Sequence, residues 1–337
     1  MTARSAGQRL RRAARAPRKP WQAADFSTKS DSMKSAPASA KAAAPLSADR
    51  LFGEAVLEIL SPATQTVPLV FASPHSGRDY SPEFLAQSRL DPLTLRRSED
   101  AYVDELFGAA PDHGAPLLRA LFPRVFVDPN REALELDPAM FSDALPDGAN
   151  PNSPRVAAGL GSIARVVASG EEIYARKLTL AEAQARLDRC WRPYHAALDE
   201  LLVATRRRFG HVLLIDCHSM PSIGGPMERD AGDRRLDFVL GDCHGRSCAP
   251  ALTDRVEALL QTDGFRVERN APYAGGYVTQ HYGRPGEGIH TLQIEVNRAL
   301  YMDETSYERR PGFAALQRAI GRLIAQLAQT ERTAFAA

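Results

Sequence analysis

Cysteine is scarce in this chain, with four residues among 337. Cys190, Cys217, Cys243 and Cys248 are too few for the disulfide framework that staples small secreted proteins. Free thiols are typical of a reducing compartment, so we expect a cytoplasmic protein.

Long apolar runs and a strong net charge are also absent. No apolar stretch approaches the roughly 18–20 residues that a membrane-spanning helix needs, so we expect no membrane partner. The net charge is only +1, but residues 1–48 contain ten Lys/Arg and two Asp/Glu, which leaves −7 on the remainder. A mildly acidic body without a basic stripe argues against a nucleic-acid partner.

The first 46 residues differ in composition from the rest. They are rich in Ala, Ser, Arg, Lys and Pro, and such a segment cannot bury enough apolar surface to offset its ordering entropy. We predict a disordered basic extension over residues 1–46, with a transit peptide or a start at Met33 as alternatives. Residues 47–337, with a composition typical of soluble proteins, are predicted to form one α/β catalytic domain.

Strand-like runs alternate with helical periodicity through residues 47–337. This alternation predicts an α/β fold with a mixed, mainly parallel sheet flanked by helices. The continuous apolar run Val212–Ile215 is typical of a strand buried on both faces. The predicted strands are Val56–Ile59, Val67–Ala72, Arg124–Val127, Ile163–Val167, His211–Cys217, Asp237–Leu240, Phe265–Glu268 and the strand in HTLQIEVNRAL.

Helix signals are clearest before the buried strand. Thr179 and Glu182 form a capping-box pattern, and apolar spacing predicts a helix from about Leu180 to Phe209, kinked at Pro193. The other predicted helices are Ser98–Gly108, with Ser98 as N-cap, Ala251–Leu260 and Phe313–Leu327.

Two histidines stand just past predicted strands: His75 follows VPLVFASP, and His218 follows VLLIDC. The carboxyl ends of strands are where open α/β sheets bind ligands. One such histidine alone would more often be structural, but two favour a shared metal site. A catalytic zinc commonly takes three protein ligands of the His/Asp/Glu type, so we predict a zinc site that includes both residues.

The third zinc ligand should be a carboxylate, and three in SEDAYVDEL compete for the role. Glu99, Asp100 and Asp104 are the candidates, although acids at a helix start can simply complement its dipole. Side chains alternate along a strand, so only one of Cys217 and His218 should face the site. The remaining rival ligands are His244, Cys217 and Cys243.

Glu295 lies within the apolar strand LQIEV. A buried carboxylate is costly unless it is paired or functional. It could form a buried salt bridge with Arg298 or another arginine. Alternatively, it could act as a general base that activates a water molecule.

Several polar residues are candidates for substrate binding. Asn130 and Arg131 form one candidate pair, and the planar guanidinium of Arg131 can bind a carboxylate through two hydrogen bonds. Tyr277, in a glycine-rich loop, is a candidate lid residue. His244 and Arg298 are the other candidate substrate contacts.

These stretches together resemble the N-formylglutamate amidohydrolase family. SPHSG, RRSEDAYVDELF, FVDPNRE, LIDCHSM, APYAGGYVTQHYG and LQIEVNRALYMDE carry the resemblance, in this order. The family is similar to zinc carboxypeptidases and to the aspartoacylase and succinylglutamate desuccinylase group. The resemblance implies a zinc-carboxypeptidase-like (phosphorylase/hydrolase-like) fold. It also implies cleavage of N-formyl-L-glutamate to formate and L-glutamate, a late step of histidine degradation.

The resemblance also implies roles for individual residues. His75 and His218 would be zinc ligands, Glu295 the catalytic base, and Arg131 a ligand for a substrate carboxylate. Zinc carboxypeptidases use His-x-x-Glu, whereas Arg78 stands three residues after His75. The acidic ligand must come from elsewhere, and we choose Asp100 for its place in SEDAYVDEL.

Three functions are compatible with these residues. The first is a zinc amidohydrolase of a small acidic N-acyl amino acid, N-formyl-L-glutamate. The second is a related zinc hydrolase of another N-acyl amino acid or a peptide. The third is a metal-binding protein without turnover, which the presence of Glu295 beside the candidate ligands disfavours. The sequence does not specify an oligomeric state.

Overall fold

Seven strands form one sheet within the part of the chain that the structure describes. The structure is a computed structural model that describes residues 55–226 and 228–335, so the predicted extension over residues 1–46 lies outside the described residues. The strands are β1 (Leu57–Leu60), β2 (Leu69–Ser73), β3 (Leu117–Ala120), β4 (Val212–Met220), β5 (Phe238–Gly241), β6 (Val267–Arg269) and β7 (Ile289–Asn297).

The sheet is mixed, and most of its pairings are parallel. Its spatial order is β1-β3-β2-β4-β7-β5-β6. β1 with β3 and β5 with β7 are antiparallel, and the other pairings are parallel. The central strands β4 and β7 are buried along their whole length. The predicted mixed, mainly parallel sheet with a fully buried strand at Val212–Ile215 is confirmed.

Helices cover both faces of the sheet. Val212 and Leu214 of β4 belong to one apolar cluster, and Leu213 and Ile215 belong to the other, because successive side chains of a strand point to opposite faces. None of the described helices is both long and apolar enough to cross a membrane. The helices are α1 (Pro82–Gln87), α2 (Pro92–Leu95), α3 (Val103–Leu106), α4 (Pro154–Ala157), α5 (Leu180–Arg186), α6 (Arg192–Phe209), α7 (Pro250–Thr262), α8 (Tyr277–Tyr282) and α9 (Phe313–Leu327).

The predicted helix Leu180–Phe209 is confirmed, with a distortion beside its proline. Thr179 and Glu182 form both hydrogen bonds of the predicted capping box. A π-helical turn at Leu187–Trp191 separates α5 from α6. Pro193 cannot donate a backbone hydrogen bond, and the wider turn ends two residues before it.

The predicted helix Ser98–Gly108 is wrong over its first half. Only Val103–Leu106 is α-helical, and Tyr102 adopts a left-handed backbone conformation with φ of 66°. Ser98 is not an N-cap, because its hydroxyl instead accepts a hydrogen bond from the amide of Ala168. The amide of Asp100 donates to the carbonyl of His75 at 3.0 Å, so tertiary contacts hold this segment extended.

Two predicted strands are also wrong, and one strand was missed. Arg124–Val127 forms a turn closed by the hydrogen bond from Phe126 N to Pro123 O, and its apolar side chains enter the core. Ile163–Val167 forms only an isolated bridge at Val166. β3 at Leu117–Ala120 occupies the place between β1 and β2.

Candidate active site

Three potential metal ligands converge at the carboxyl ends of β2 and β4. His75 follows β2, His218 lies near the end of β4, and Asp100 comes from the extended segment that is bonded to the His75 turn. All three side chains are buried, and each offers a ligand atom within 4.8 Å of the others. The structure thus brings together the three residues that the sequence analysis selected as zinc ligands.

The spacing of these atoms suits a small tetrahedral cation. Oδ2 of Asp100 lies 3.3 Å from Nδ1 of His75 and 3.1 Å from Nδ1 of His218. Ligand atoms about 2.0–2.1 Å from a tetrahedral zinc ion are about 3.3 Å apart. Nδ1 of His75 is buried and has no hydrogen-bond partner among the described residues. An unsatisfied imidazole nitrogen at this spacing fits a metal ligand.

A carboxylate orients each histidine from its other nitrogen. Nε2 of His75 lies 2.7 Å from Oδ1 of Asp128, and Nε2 of His218 lies 3.0 Å from Oδ2 of Asp216. Such partners fix the tautomer and ring orientation of metal-binding histidines. Neither role was predicted from the sequence, although Asp216 shares a strand face with His218 and Asp128 stands in FVDPNRE.

The charges around the triad favour a cation. Burial and the charge of Arg124 lower the pKa of His75, which keeps its ring neutral, as a metal ligand requires. Burial opposes protonation of His218, but Asp216 and Asp100 raise its pKa well above the usual value. Burial would raise the pKa of Asp100, but its close contacts with His218 and His75 hold that pKa well below its usual range.

The arginine partners of Asp100, Glu99 and Asp104 show which of the three carboxylates faces the histidines. Arg298 donates to Oδ1 of Asp100 at 2.9 Å and leaves Oδ2 facing the histidines. Glu99 pairs with Arg96 at 2.9 Å, and Asp104 pairs with Arg119 at 2.8 Å. Glu99 and Asp104 are therefore engaged in ion pairs outside the triad.

Glu295 lies beside the triad and has no ion-pair partner among the described residues. It is the register neighbour of His218 across β4 and β7. Its carboxylate accepts a hydrogen bond from Nε2 of Gln293 at 2.8 Å. Burial raises the pKa of Glu295 to about 7, and the charge of Asp100 adds to the shift. The alternative of a salt bridge to Arg298 is wrong, because Arg298 bonds to Asp100 and Ser219.

Asn130 links the triad to the glycine-rich loop. Its Nδ2 lies 3.1 Å from Nε2 of His218, and its Oδ1 accepts the amide of Val278 at 2.8 Å. A Cβ at Gly276 would lie 2.3 Å from Oδ1 of Asn130, so this approach requires glycine. Asn130, proposed from sequence as a substrate contact, lines the cavity and lies in contact with His218.

The other predicted contacts divide into those inside and those outside the cavity. Arg131 and Arg298 line it. Tyr277 does not, since its ring packs against Trp191 and His281. His244 is exposed and away from the cavity. Neither rival cysteine belongs to the triad, and Cys217 points into the apolar core, as the alternation with His218 predicts.

A cavity of about 400 Å³ opens in front of the triad. Its size lies within the roughly 300–1,000 Å³ typical of small-molecule sites. The guanidinium of Arg131 donates to the carbonyls of Leu160 and Asn130, and burial lowers the pKa of Arg131 to about 9. Arg124 and Arg155, which no sequence pattern singled out, also line the wall, so the cavity suits an anionic ligand.

The fold and this cavity together define a hydrolase of α/β architecture, with its site at the carboxyl ends of parallel strands. The profile of the N-formylglutamate amidohydrolase family matches residues 67–302. The chain belongs to this family, and the resemblance found in its motifs is confirmed.

Individual relatives agree with this assignment. N-formylglutamate deformylase of Pseudomonas aeruginosa is 32% identical over 269 residues, which cover 78% of this chain and 93% of the relative. N-formylglutamate deformylase of Pseudomonas putida is 29% identical over 251 residues, covering 74% and 86%. The crystal structure of N-formylglutamate amidohydrolase from Ralstonia eutropha JMP134 is 41% identical, with a TM-score of 0.75, and covers 81% of this chain and 97% of that one.

Proposed function

We propose that this chain hydrolyses N-formyl-L-glutamate to formate and L-glutamate, as a step of histidine degradation. The observation that carries the proposal is the position of Glu295. This buried carboxylate has no ion-pair partner within the described part of the chain, and it stands beside two histidines and an aspartate, in a cavity whose wall contains arginines. The names of the relatives support the same substrate.

We propose zinc as the cofactor, held by His75, Asp100 and His218. The buried, unpartnered Nδ1 of His75 and the spacing of the three ligand atoms support this choice. When bound, zinc would polarise the formyl carbonyl and lower the pKa of water towards neutrality. Asp128 and Asp216 keep both imidazoles turned towards the ion.

Glu295 moves the protons of the reaction. Its carboxylate takes a proton from the attacking water, whose oxygen forms a bond with the formyl carbon. The same group then delivers the proton to the amide nitrogen as the C–N bond breaks. A pKa of about 7 places Glu295 where both transfers are efficient at neutral pH.

Buried arginines bind the acidic part of the substrate. Arg131 lies at the cavity wall, and its ion-pair contact among the residues that the structure describes is with Asp128, at 3.8 Å. A bidentate contact with a substrate carboxylate would complete its hydrogen bonding. A formyl group is small, so selectivity rests on the acidic side chain.

A panel of N-acyl amino acids tests the proposal against its alternatives. The zinc-loaded enzyme should hydrolyse N-formyl-L-glutamate with a higher kcat/KM than N-acetyl-L-glutamate, N-formyl-L-leucine or a glutamyl peptide. Preference for another member of the panel would favour the related hydrolase. Zinc binding without turnover of any member would favour a metal-binding protein.

We also propose that the enzyme works in the cytoplasm. All four cysteines are free and buried, which suits a reducing compartment. Fractionation of the source cells, with an antibody against the chain, should place it with the soluble cytoplasmic proteins, and recovery outside the cell would contradict this.

A further inference from the structure

The arginines of the cavity differ in how well their charges are neutralised. Arg124 donates to Asp128 at 2.7 Å, and Arg298 donates to Asp100 at 2.9 Å. Arg155 also lines the cavity, but its guanidinium forms no ion pair with any residue that the structure describes. A half-buried cation without a carboxylate partner has capacity for an anionic ligand.

The backbone around Arg155 is well fixed. Ser153 caps the short helix α4 by accepting the amide of Val156 at 3.1 Å, and the side chain of Val156 is buried. The position of Arg155 in the cavity wall is therefore set by neighbours that are not part of the metal-binding triad.

A single residue connects Arg155 with Arg131. The amide of Leu160 donates to the carbonyl of Arg155 at 2.8 Å. The carbonyl of Leu160 accepts Nε of Arg131 at 3.0 Å. The two arginines thus lie in one stretch of wall, and the charge of Arg155 adds to burial in lowering the pKa of Arg131. Like charges held together in this way are relieved by a ligand with two negative charges.

The contacts also rank these arginines by distance from the triad. Arg124 bonds to Asp128, which holds His75, and its Nη1 is 3.9 Å from Asp100. Arg131 approaches Asp128 only to 3.8 Å. Arg155 forms no ion pair with Asp100 or Asp128, so its guanidinium lies farther from Asp128 than that of Arg131 does.

An N-formylglutamate molecule has two carboxylates at different distances from its amide. The α-carboxylate is attached to the carbon that carries the nitrogen, whereas two methylene groups separate the γ-carboxylate from that carbon. We propose that Arg155 binds the γ-carboxylate and so determines the preference for glutamate, an assignment that rests on the proposed function. Arg131, nearer the triad, is then left for the α-carboxylate.

The test pairs one substitution with one change of substrate. N-formyl-L-glutamine replaces the γ-carboxylate by an uncharged amide of similar shape. Wild-type enzyme should prefer N-formyl-L-glutamate by about 10- to 100-fold in kcat/KM, the range expected for a charge-assisted hydrogen bond. Arg155→Gln should lose this preference through a higher KM for N-formyl-L-glutamate, with little change for N-formyl-L-glutamine.

Arg255→Gln is the matched control. Arg255 lies on α7 and does not line the cavity. It is also half-buried, and it donates to Thr330 and to the carbonyl of Gln326. This variant should keep the wild-type preference. An Arg155→Gln enzyme that retains the preference, or that loses activity equally on both compounds, would overturn the assignment.

Measurements of product binding test the role of Arg155 independently of the proposed activity. Titration calorimetry should show that Arg155→Gln weakens L-glutamate binding about 10- to 100-fold and leaves L-glutamine binding unchanged. If wild-type enzyme hydrolyses neither formyl compound, the proposed activity is wrong, and the calorimetry alone then decides the role of Arg155. Equal binding of L-glutamate by wild type and variant would refute it.

Discussion

Glu295 shows at the scale of one residue how its neighbours determine its role. It is 8% exposed, lies beside His218, and accepts its hydrogen bond from the uncharged Gln293. None of the described arginines forms an ion pair with Glu295, and Arg298 is bonded to Asp100 instead. A buried acid without an ion pair is typical of a catalytic group rather than a structural one.

Glu295→Gln should therefore lower turnover without unfolding the protein. The change is nearly isosteric and leaves the metal-binding triad intact. We expect kcat to fall by about 10²–10⁴, the range for loss of general-base catalysis, with zinc content and melting temperature close to wild type. The rate per folded, zinc-loaded molecule and the melting temperature are the measurements. A normal rate in a strongly destabilised variant would contradict the catalytic role.

The metal site allows a second prediction at the residue scale. His75→Ala and His218→Ala each remove one of the three converging ligands, so both variants should lose bound zinc. His244→Ala is the control, since that side chain is exposed and outside the cavity. Elemental analysis of the purified variants gives the zinc content. Full zinc in both His75→Ala and His218→Ala would place the metal elsewhere.

At the scale of elements, the π-helical turn and helix α6 form hydrogen bonds with the backbone of the segment that carries several site residues. Trp191, the last residue of the turn, donates its indole N–H to the carbonyl of Arg131 at 3.0 Å. His195, one turn further, lies with Nε2 2.8 Å from the carbonyl of Pro129. The segment that carries Asp128, Asn130 and Arg131 is thus attached to the longest described helix.

Trp191→Phe tests this support. Phenylalanine keeps an aromatic ring in the same packing but cannot donate to the carbonyl of Arg131. Loss of a neutral hydrogen bond costs about 0.5–1.5 kcal/mol, so KM for N-formyl-L-glutamate should rise about 2- to 10-fold while kcat changes little. Steady-state kinetics measures both values. A fall in kcat at constant KM would show that the indole acts on the chemical step instead.

His195 predicts a pH dependence of stability. Burial lowers its pKa to about 3, whereas a histidine in an unfolded chain titrates near 6.5. Its contribution to stability is therefore complete above pH 6.5 and is lost as the pH falls towards 3, because only the unfolded state takes up the proton.

The corresponding variant is His195→Gln, which retains hydrogen-bonding groups but does not titrate. Between pH 6.5 and 4.5, wild type should lose up to about 1.4 kcal/mol per pH unit more unfolding free energy than this variant. Chemical denaturation at several pH values measures the difference. Parallel pH profiles would show that His195 is not buried in its neutral form.

At the scale of the whole molecule, the described part of the catalytic domain is built around one sheet with an apolar cluster on each face. The match to the family also begins at residue 67, well after the basic N-terminal segment. We predict that deletion of residues 1–46 leaves the melting temperature, zinc content and activity unchanged. A large fall in melting temperature would show that the deleted segment contributes to the fold.

Local patterns in the sequence were sufficient to predict part of the fold and part of the candidate site. The run Val212–Ile215 is apolar on both faces of its strand, so its burial could be predicted without knowing its neighbours. The capping box at Thr179 and the positions of His75 and His218 after strands are equally local features. Glu295 stood out because an acid in an apolar strand conflicts with its surroundings.

Tertiary structure decided the features that depend on residues far apart in the chain. The left-handed Tyr102 and the bond from Asp100 to the His75 carbonyl keep Asp100, rather than Glu99 or Asp104, at the triad. The pairing of Asp128 with His75 and the place of Arg155 beside Arg131 likewise follow from packing. Helix and strand periodicity reports only which face of an element is apolar, whereas these contacts depend on where distant segments meet.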